Sequence, residues 1–192
     1  MRMNHHLFRR ICIKRHLYIF LLLIGSCMNA QVVNVSGNWT ATIPAITEAG
    51  SNYAGTYDNS VSNGSNQITL SGTLPGSFLN LLSGSGAKMT MRYTPNPWNN
   101  ALTLSAKRTG GTTTIHGVCV LCTSSINGGT TYIPISQTAD TTFVTFTFSG
   151  VLGLGNSVTF ADINLILQLA GVSVTVPTNT YSARVVFTIV AN

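Results

Sequence analysis

The sequence predicts an all-β fold, a single antiparallel two-sheet β-sandwich. Apolar residues recur at alternate positions in short runs, the pattern of strands with one buried face. Nearly half of residues 31–192 are Thr, Ser, Asn or Gly, which favour strands and turns over helices. No long helical pattern is present to supply the crossovers of a parallel sheet. We therefore expect two antiparallel sheets packed face to face over residues 31–192.

The predicted strands follow one another with turn sequences between them. In chain order they are the runs NWTATIP, NQITLSG, KMTMRY, ALTLSAK, TFVTFTFS, DINLILQLAG and SARVVFTIV. Loops are predicted at SNGSN, TPNPWNN, RTGG, NGG and PTNT, because these residues adopt tight turns or fix a turn dihedral. The run PGSFLNLL, residues 75–82, suggests one helical turn. Together the runs and their spacing predict about eight to ten strands in one domain.

Residues 1–30 have the three-part order of a secretory signal peptide. Arg, Lys and His dominate residues 1–16, LYIFLLLI follows, and small residues precede Gln31. The apolar run is far shorter than the roughly 20 residues that span a bilayer as a helix, so we expect no transmembrane segment in the mature chain. Cleavage is expected after Ala30. Alternatively, IGSC resembles a bacterial lipobox, in which Cys27 becomes a lipidated N-terminus. Either route predicts export to the periplasm, surface or surroundings of a bacterium.

Charge excludes several classes of function. The net charge is +6, but five of the ten Lys and Arg residues lie in the first 15 positions. The remainder is nearly neutral and offers no clustered cationic face, so we expect no nucleic-acid partner. After residue 30 the chain has one His and four carboxylates. Because most active sites are built from such groups, we expect no enzymatic activity, no catalytic residues and no cofactor.

His116, Cys119 and Cys122 form the sequence HGVCVLC, where possible metal ligands crowd together. A structural zinc site needs four ligands, and no second pair of Cys or His follows residue 30, so we expect no metal. Two cysteines in an exported protein often pair with each other. Residues three apart in a straight strand lie too far apart to bridge, so a disulfide between Cys119 and Cys122 requires a turn or bulge here. The alternative interpretations of these two cysteines are that they remain separate thiols or take part in redox chemistry.

Aromatic residues in predicted loops suggest a ligand site. Trp98 lies in TPNPWNN, and Tyr53 and Tyr57 lie in the polar stretch EAGSNYAGTYDNS. Sandwiches that bind sugars stack the rings on Trp or Tyr held in loops, so these three residues predict a secreted carbohydrate-binding module. The competing interpretation is that Trp98 closes the end of the core.

The C-terminal run VPTNTYSARVVFTIVAN resembles the final strand of bacterial pilin-like and spore-coat-U-like surface sandwiches. The run WTATIPAITEAGSNYAGTY is similar to secreted surface proteins of the Bacteroidetes, whose leaders often end in Ala-Gln like Ala30 and Gln31. The resemblance implies an immunoglobulin-like sandwich that acts as a structural or adhesive, fimbrial-like subunit. Its partners would be further copies of itself or other surface proteins. The chain departs from a chaperone-assembled pilin in having Ala191, and not Tyr, as its penultimate residue.

Overall fold

A computed structural model describes residues 31–43, 55–60, 67–76, 86–119, 121–150 and 157–191. They belong to one compact unit, Gln31–Asn192. The expected signal peptide with Cys27, the loop residue Tyr53 and residues 77–82 of the expected helical turn lie outside the described residues.

The described residues form ten strands. They are β1 (Val32–Ser36), β2 (Gly55–Asp58), β3 (Ile68–Pro75), β4 (Ala87–Pro95), β5 (Thr103–His116), β6 (Thr123–Asn127), β7 (Ile133–Pro134), β8 (Thr141–Ser149), β9 (Ser157–Val172) and β10 (Ala183–Ala191). One sheet has the order β1-β3-β9-β5-β7, with β2 also paired to β9, and the other has the order β10-β4-β8-β6. Every pairing is antiparallel. The predicted all-β, two-sheet sandwich is therefore confirmed. Within the described ranges, no helix has the length and apolar character needed to cross a membrane.

The alternating apolar residues fill the space between the two sheets. Met89 and Met91 of β4 and Ile163 of β9 have no exposed surface. Phe146 of β8 packs on Phe160 of β9 from the opposite sheet, with 4.8 Å between ring centroids. Burying a side chain of this size contributes about 1.5–3 kcal/mol, so repeated alternation along several strands is enough to hold the sheets together.

The predicted RTGG loop is wrong, because these residues lie inside β5. Gly110 and Gly111 have φ values of 65° and 108°, and Asp162, across from them on β9, has a φ of 57°. Both glycines accept a left-handed backbone here, and the pairing with β9 keeps the same register before and after them, so the ladder continues without an inserted residue. As a result β5 continues for 14 residues and runs the full length of its sheet.

The predicted strand in NWTATIP is also wrong over the residues that the structure describes. The first strand is β1, and the chain leaves it at Gly37, whose φ is 99°. A Cβ at this position would lie 2.1 Å from the Gln67 carbonyl oxygen, so only glycine fits. Residues 37–43 then continue outside any strand.

The two ends of the sandwich are defined by the long β5 and β9 pair. Thr103 pairs with Ala170 at one end, which is called the Ala170 end here. His116 pairs with Ser157 at the other end, which is called the Ser157 end. At the Ser157 end the sheets also meet across their edges, because Gln31 donates its Nε2 hydrogen to the Ile189 carbonyl oxygen at 3.1 Å.

Candidate functional site

A groove opens between the two sheets at the Ala170 end, with a volume of about 1050 Å³. It is named the end groove here. It is lined by residues 39–43, Trp98, Leu102, Leu104, Leu167, Leu169, residues 172–174, residues 176–183 and Val185. Its floor comes from β5, β9 and β10, and its rim comes from the loops that enter and leave these strands. Its volume is in the range of small-ligand sites, which are typically concave and largely apolar.

Trp98 lies in the loop after β4 and is fixed from two sides. Its Nε1 donates to the Leu102 carbonyl oxygen at 3.1 Å. Its ring packs on Tyr93, with 5.3 Å between centroids and 57° between the planes. Trp98 is half-buried, so it both helps to close the core, as one interpretation of the sequence held, and lines the groove.

Trp39 is the second tryptophan of the chain, and it lines the same groove. It is carried there by the segment that leaves β1 at Gly37, and it is also half-buried against the core. The sequence alone did not suggest Trp39 as a site residue, because its alternation with Ala41 and Ile43 indicated a buried strand face. The turn at Gly37 was the available signal.

The rim of the end groove is held by hydrogen bonds within one loop and between two loops. Tyr181 donates its hydroxyl to the Pro177 carbonyl oxygen at 2.7 Å. Ser182 donates its backbone N–H to the Pro97 carbonyl oxygen at 3.0 Å and accepts from the Asn96 N–H at 2.8 Å. The loop before β10 is therefore tied both to itself and to the loop that carries Trp98. A rim fixed in this way loses little conformational entropy when a ligand binds.

The groove is uncharged and has hydroxyl groups at its rim. Among the described residues that line it, none is Asp, Glu, Lys, Arg or His. Thr40, Thr42, Thr178, Asn179 and Thr180 are exposed and offer donors and acceptors. This arrangement suits binding by ring stacking, apolar contact and neutral hydrogen bonds.

Tyr57, which the sequence grouped with Trp98, lies on β2 opposite Leu169 and is not among the residues that line the groove. The structure therefore joins Trp98 with Trp39 and not with Tyr57.

A polar cluster that includes none of the lining residues joins β2 to β5 and to the residue before β7. Tyr132 donates its hydroxyl to Asp58 Oδ2 at 2.9 Å, and the Lys107 ammonium sits 4.4 Å from the Tyr132 ring centroid. Ser60 donates its hydroxyl to Asp58 Oδ1 at 2.5 Å. This bond is the main cause that lowers the pKa of Asp58, and Tyr132 and Lys107 lower it further. Burial, followed by the Asp58 contact, raises the pKa of Tyr132 to about 12.

The HGVCVLC sequence forms a disulfide-closed turn at the Ser157 end. Cys119 and Cys122 are bonded, with 5.7 Å between their Cα atoms, and Leu121 takes a left-handed φ of 58° in the turn between them. His116 is engaged elsewhere, since its Nε2 lies 3.0 Å from the Thr159 hydroxyl. In the part of the chain that the structure describes, no group of three His, Cys, Asp or Glu side chains is placed to hold a metal ion.

These features define a class of protein, a two-sheet β-sandwich with an uncharged aromatic groove at one end. Comparison with protein-family models, curated proteins and solved structures finds no match to this chain.

Proposed function

We propose that this chain is a non-enzymatic, exported surface protein of structural or adhesive type, comparable in role to a fimbrial subunit. The end groove is the observation that carries the proposal. It is concave, uncharged and lined by both tryptophans, and its rim is already fixed by hydrogen bonds. Such a surface holds a partner by complementary contact, and it needs no proton-transfer group to do so.

Export is part of the same proposal and has two supports. Residues 1–30 carry the order of a signal peptide, with a lipidated Cys27 as the alternative to cleavage after Ala30. Cys119 and Cys122 are joined by a disulfide, a bond that persists mainly in oxidising compartments outside the cytoplasm.

Attachment of the encoding cells to surfaces or to one another tests the proposal. We expect a deletion strain to attach less than its parent, and expression of the intact chain to restore attachment. Expression of Trp98→Ala should not restore it, whereas Tyr132→Phe, an aromatic change outside the groove, should. Surface abundance of each variant is measured in parallel, so that loss of protein is not mistaken for loss of contact. Unchanged attachment in the deletion strain, together with a purely monomeric protein, would refute the proposal.

A secreted carbohydrate-binding module is the second candidate function, and one observation favours it. Trp39 and Trp98, about 60 positions apart in the sequence, line one groove. Indole rings present large, rigid apolar faces with a polar edge, and sugar rings stack on such faces. Retention of the purified protein on glycans tests this function directly.

A further inference from the structure

We propose that the end groove binds a neutral, hydroxyl-rich glycan chain, with Trp39 and Trp98 as its two stacking platforms. The inference rests on the proposed function, because it names the ligand class of the same groove. Both indoles line the groove, and both are half-buried and packed against the core.

The two indole rings supply the apolar contacts with the sugar rings. The C–H faces of a pyranose ring are apolar and match an indole face in size. Trp98 is held by its bond to Leu102 and by its packing on Tyr93, so it loses little rotamer freedom when a ring stacks on it. A groove of about 1050 Å³ is large enough for several sugar rings.

The rim supplies hydrogen bonds of the kind that sugar hydroxyls need. Thr178, Asn179 and Thr180 are consecutive, exposed and part of the lining, and Thr40 and Thr42 are exposed on the segment that carries Trp39. Hydroxyl and amide groups both donate and accept, which matches a ligand whose own hydroxyls do the same. A purely aliphatic ligand would leave these groups without compensation for lost water.

The absence of charged side chains from the described lining favours neutral sugars. None of the described residues that line the groove is Asp, Glu, Lys, Arg or His, so the lining carries no charged side chain. A uronate or sialate carboxylate placed in the groove would lose water without gaining a cationic partner. Arg184 lies between the lining residues Ala183 and Val185 in sequence, but it is exposed and is not part of the lining. We therefore expect neutral chains to bind and anionic chains to be rejected.

The test uses an array of cello-, manno- and xylo-oligosaccharides beside oligogalacturonates, with the purified protein as analyte. We expect binding to at least one neutral series and none to the oligogalacturonates. Calorimetry with the best oligosaccharide should show about a tenfold or greater loss of affinity in Trp39→Ala and in Trp98→Ala. Tyr132→Phe is the matched aromatic control and should bind as the unmodified protein does.

Because either tryptophan change can weaken folding, an exposed rim variant keeps the test decisive. Thr42→Ala with Thr178→Ala should lower affinity severalfold while leaving the unfolding transition in place. The inference is overturned if no neutral oligosaccharide binds, if anionic chains bind better, or if folded tryptophan variants retain full affinity. The two proposals can fail separately. If the unmodified protein binds no glycan, but a folded Trp98→Ala variant still fails to restore cell attachment, the glycan proposal is overturned and the adhesive function stands. Binding of an apolar peptide in place of any glycan would do the same.

Discussion

The side-chain amide of Asn59 stands in for strand backbone beside Leu167. Its Oδ1 accepts the Leu167 N–H at 2.7 Å, and the backbone N–H of Asn59 donates to the Leu167 carbonyl oxygen at 3.3 Å. Its Nδ2 donates to the Leu165 carbonyl oxygen at 3.2 Å. Asn59 is buried and fills the place where β3 has stopped pairing with β9 and β2 has begun. It thereby fixes the strand that contributes Leu167 to the end groove.

Asn59→Ala should lower the free energy of unfolding by about 2–4 kcal/mol, because it leaves two buried backbone groups of β9 without partners. Urea unfolding followed by tryptophan fluorescence measures the loss. Asn127→Ala is the matched control, since Asn127 is exposed and its side-chain amide donates to the Ser125 and Thr147 hydroxyls. A loss in Asn59→Ala no larger than in the control would contradict this account.

Gly171 meets the loop of Trp98 too closely to carry a side chain. Its φ is 83°, and a Cβ would lie 2.1 Å from the Ala101 carbonyl oxygen. Gly128 has a similar φ of 81°, but a Cβ there would meet nothing closer than 3.6 Å. We expect Gly128→Ala to cost about 1–2 kcal/mol for the left-handed backbone alone, and Gly171→Ala to cost clearly more. Equal thermal shifts in the two variants would argue against a tight contact at Ala101.

The carboxylate of Asp58 makes stability depend on acid pH. Its pKa in the folded chain is below the ordinary value of 3.8, with the Ser60 hydroxyl as the main cause. The stabilisation is therefore present above pH 3.8 and is lost as the pH falls through the folded pKa. Asp58→Asn should be less stable than the unmodified protein at pH 6, and the difference should shrink as the pH falls below about 4. Denaturation at a series of pH values measures it, and a constant difference would exclude the carboxylate as its source.

The disulfide between Cys119 and Cys122 should stabilise the fold without affecting the groove. It closes a short loop, so the double variant Cys119→Ser, Cys122→Ser should lose about 2 kcal/mol of unfolding free energy. Because the turn lies at the Ser157 end, glycan affinity should stay within twofold. A large loss of affinity in a folded double variant would show that the two ends are coupled.

Self-association is expected along β10, the edge strand of its sheet among the described residues, over the part that precedes the Gln31 contact at Ile189. Arg184 is its one charged residue, and exposed uncharged edges are prone to pair with other chains. Val186→Glu would place a carboxylate on the edge strand opposite Arg92, which also pairs with Asp140 at 3.8 Å, and would block the edge. Light scattering should show oligomers that grow with concentration in the unmodified protein and diminish in Val186→Glu. Oligomers that persist unchanged in the variant would place the contact elsewhere.

Local alternation predicted the strands of the core well. The runs KMTMRY, TFVTFTFS, DINLILQLAG and SARVVFTIV correspond to β4, β8, β9 and β10, because period-two burial against an opposing sheet leaves a direct trace in sequence. The loop predicted at RTGG is wrong, because two adjacent glycines are typical of a hairpin turn but also fit inside a strand, and only the pairing with β9 distinguishes the two.

The site was less accessible to prediction than the fold. Trp98 was named from its loop, but its companion Trp39 resembled a core residue, and Tyr57 was grouped with Trp98 because both were aromatic residues in predicted loops. The groove is assembled from segments far apart in the chain. They meet because β5 and β10 begin at the end of the sandwich where β9 ends. Nothing in the sequence around Asn59 indicated its role, because that role depends on a gap between β2 and β3 where both pair with β9.

The hydrogen bond from Gln31 to Ile189 has a consequence for orientation. Val32 pairs with Thr73, and Thr73 pairs with Thr159, two residues from the Ser157 end. β10 starts beside the groove at Ala183 and passes Ile189 on its way to Ala191. A tether joined before Gln31 or after Ala191 would therefore pull on the Ser157 end, and the groove would face outward from whatever the tether holds. Immobilising the protein through either terminus should leave its binding face free.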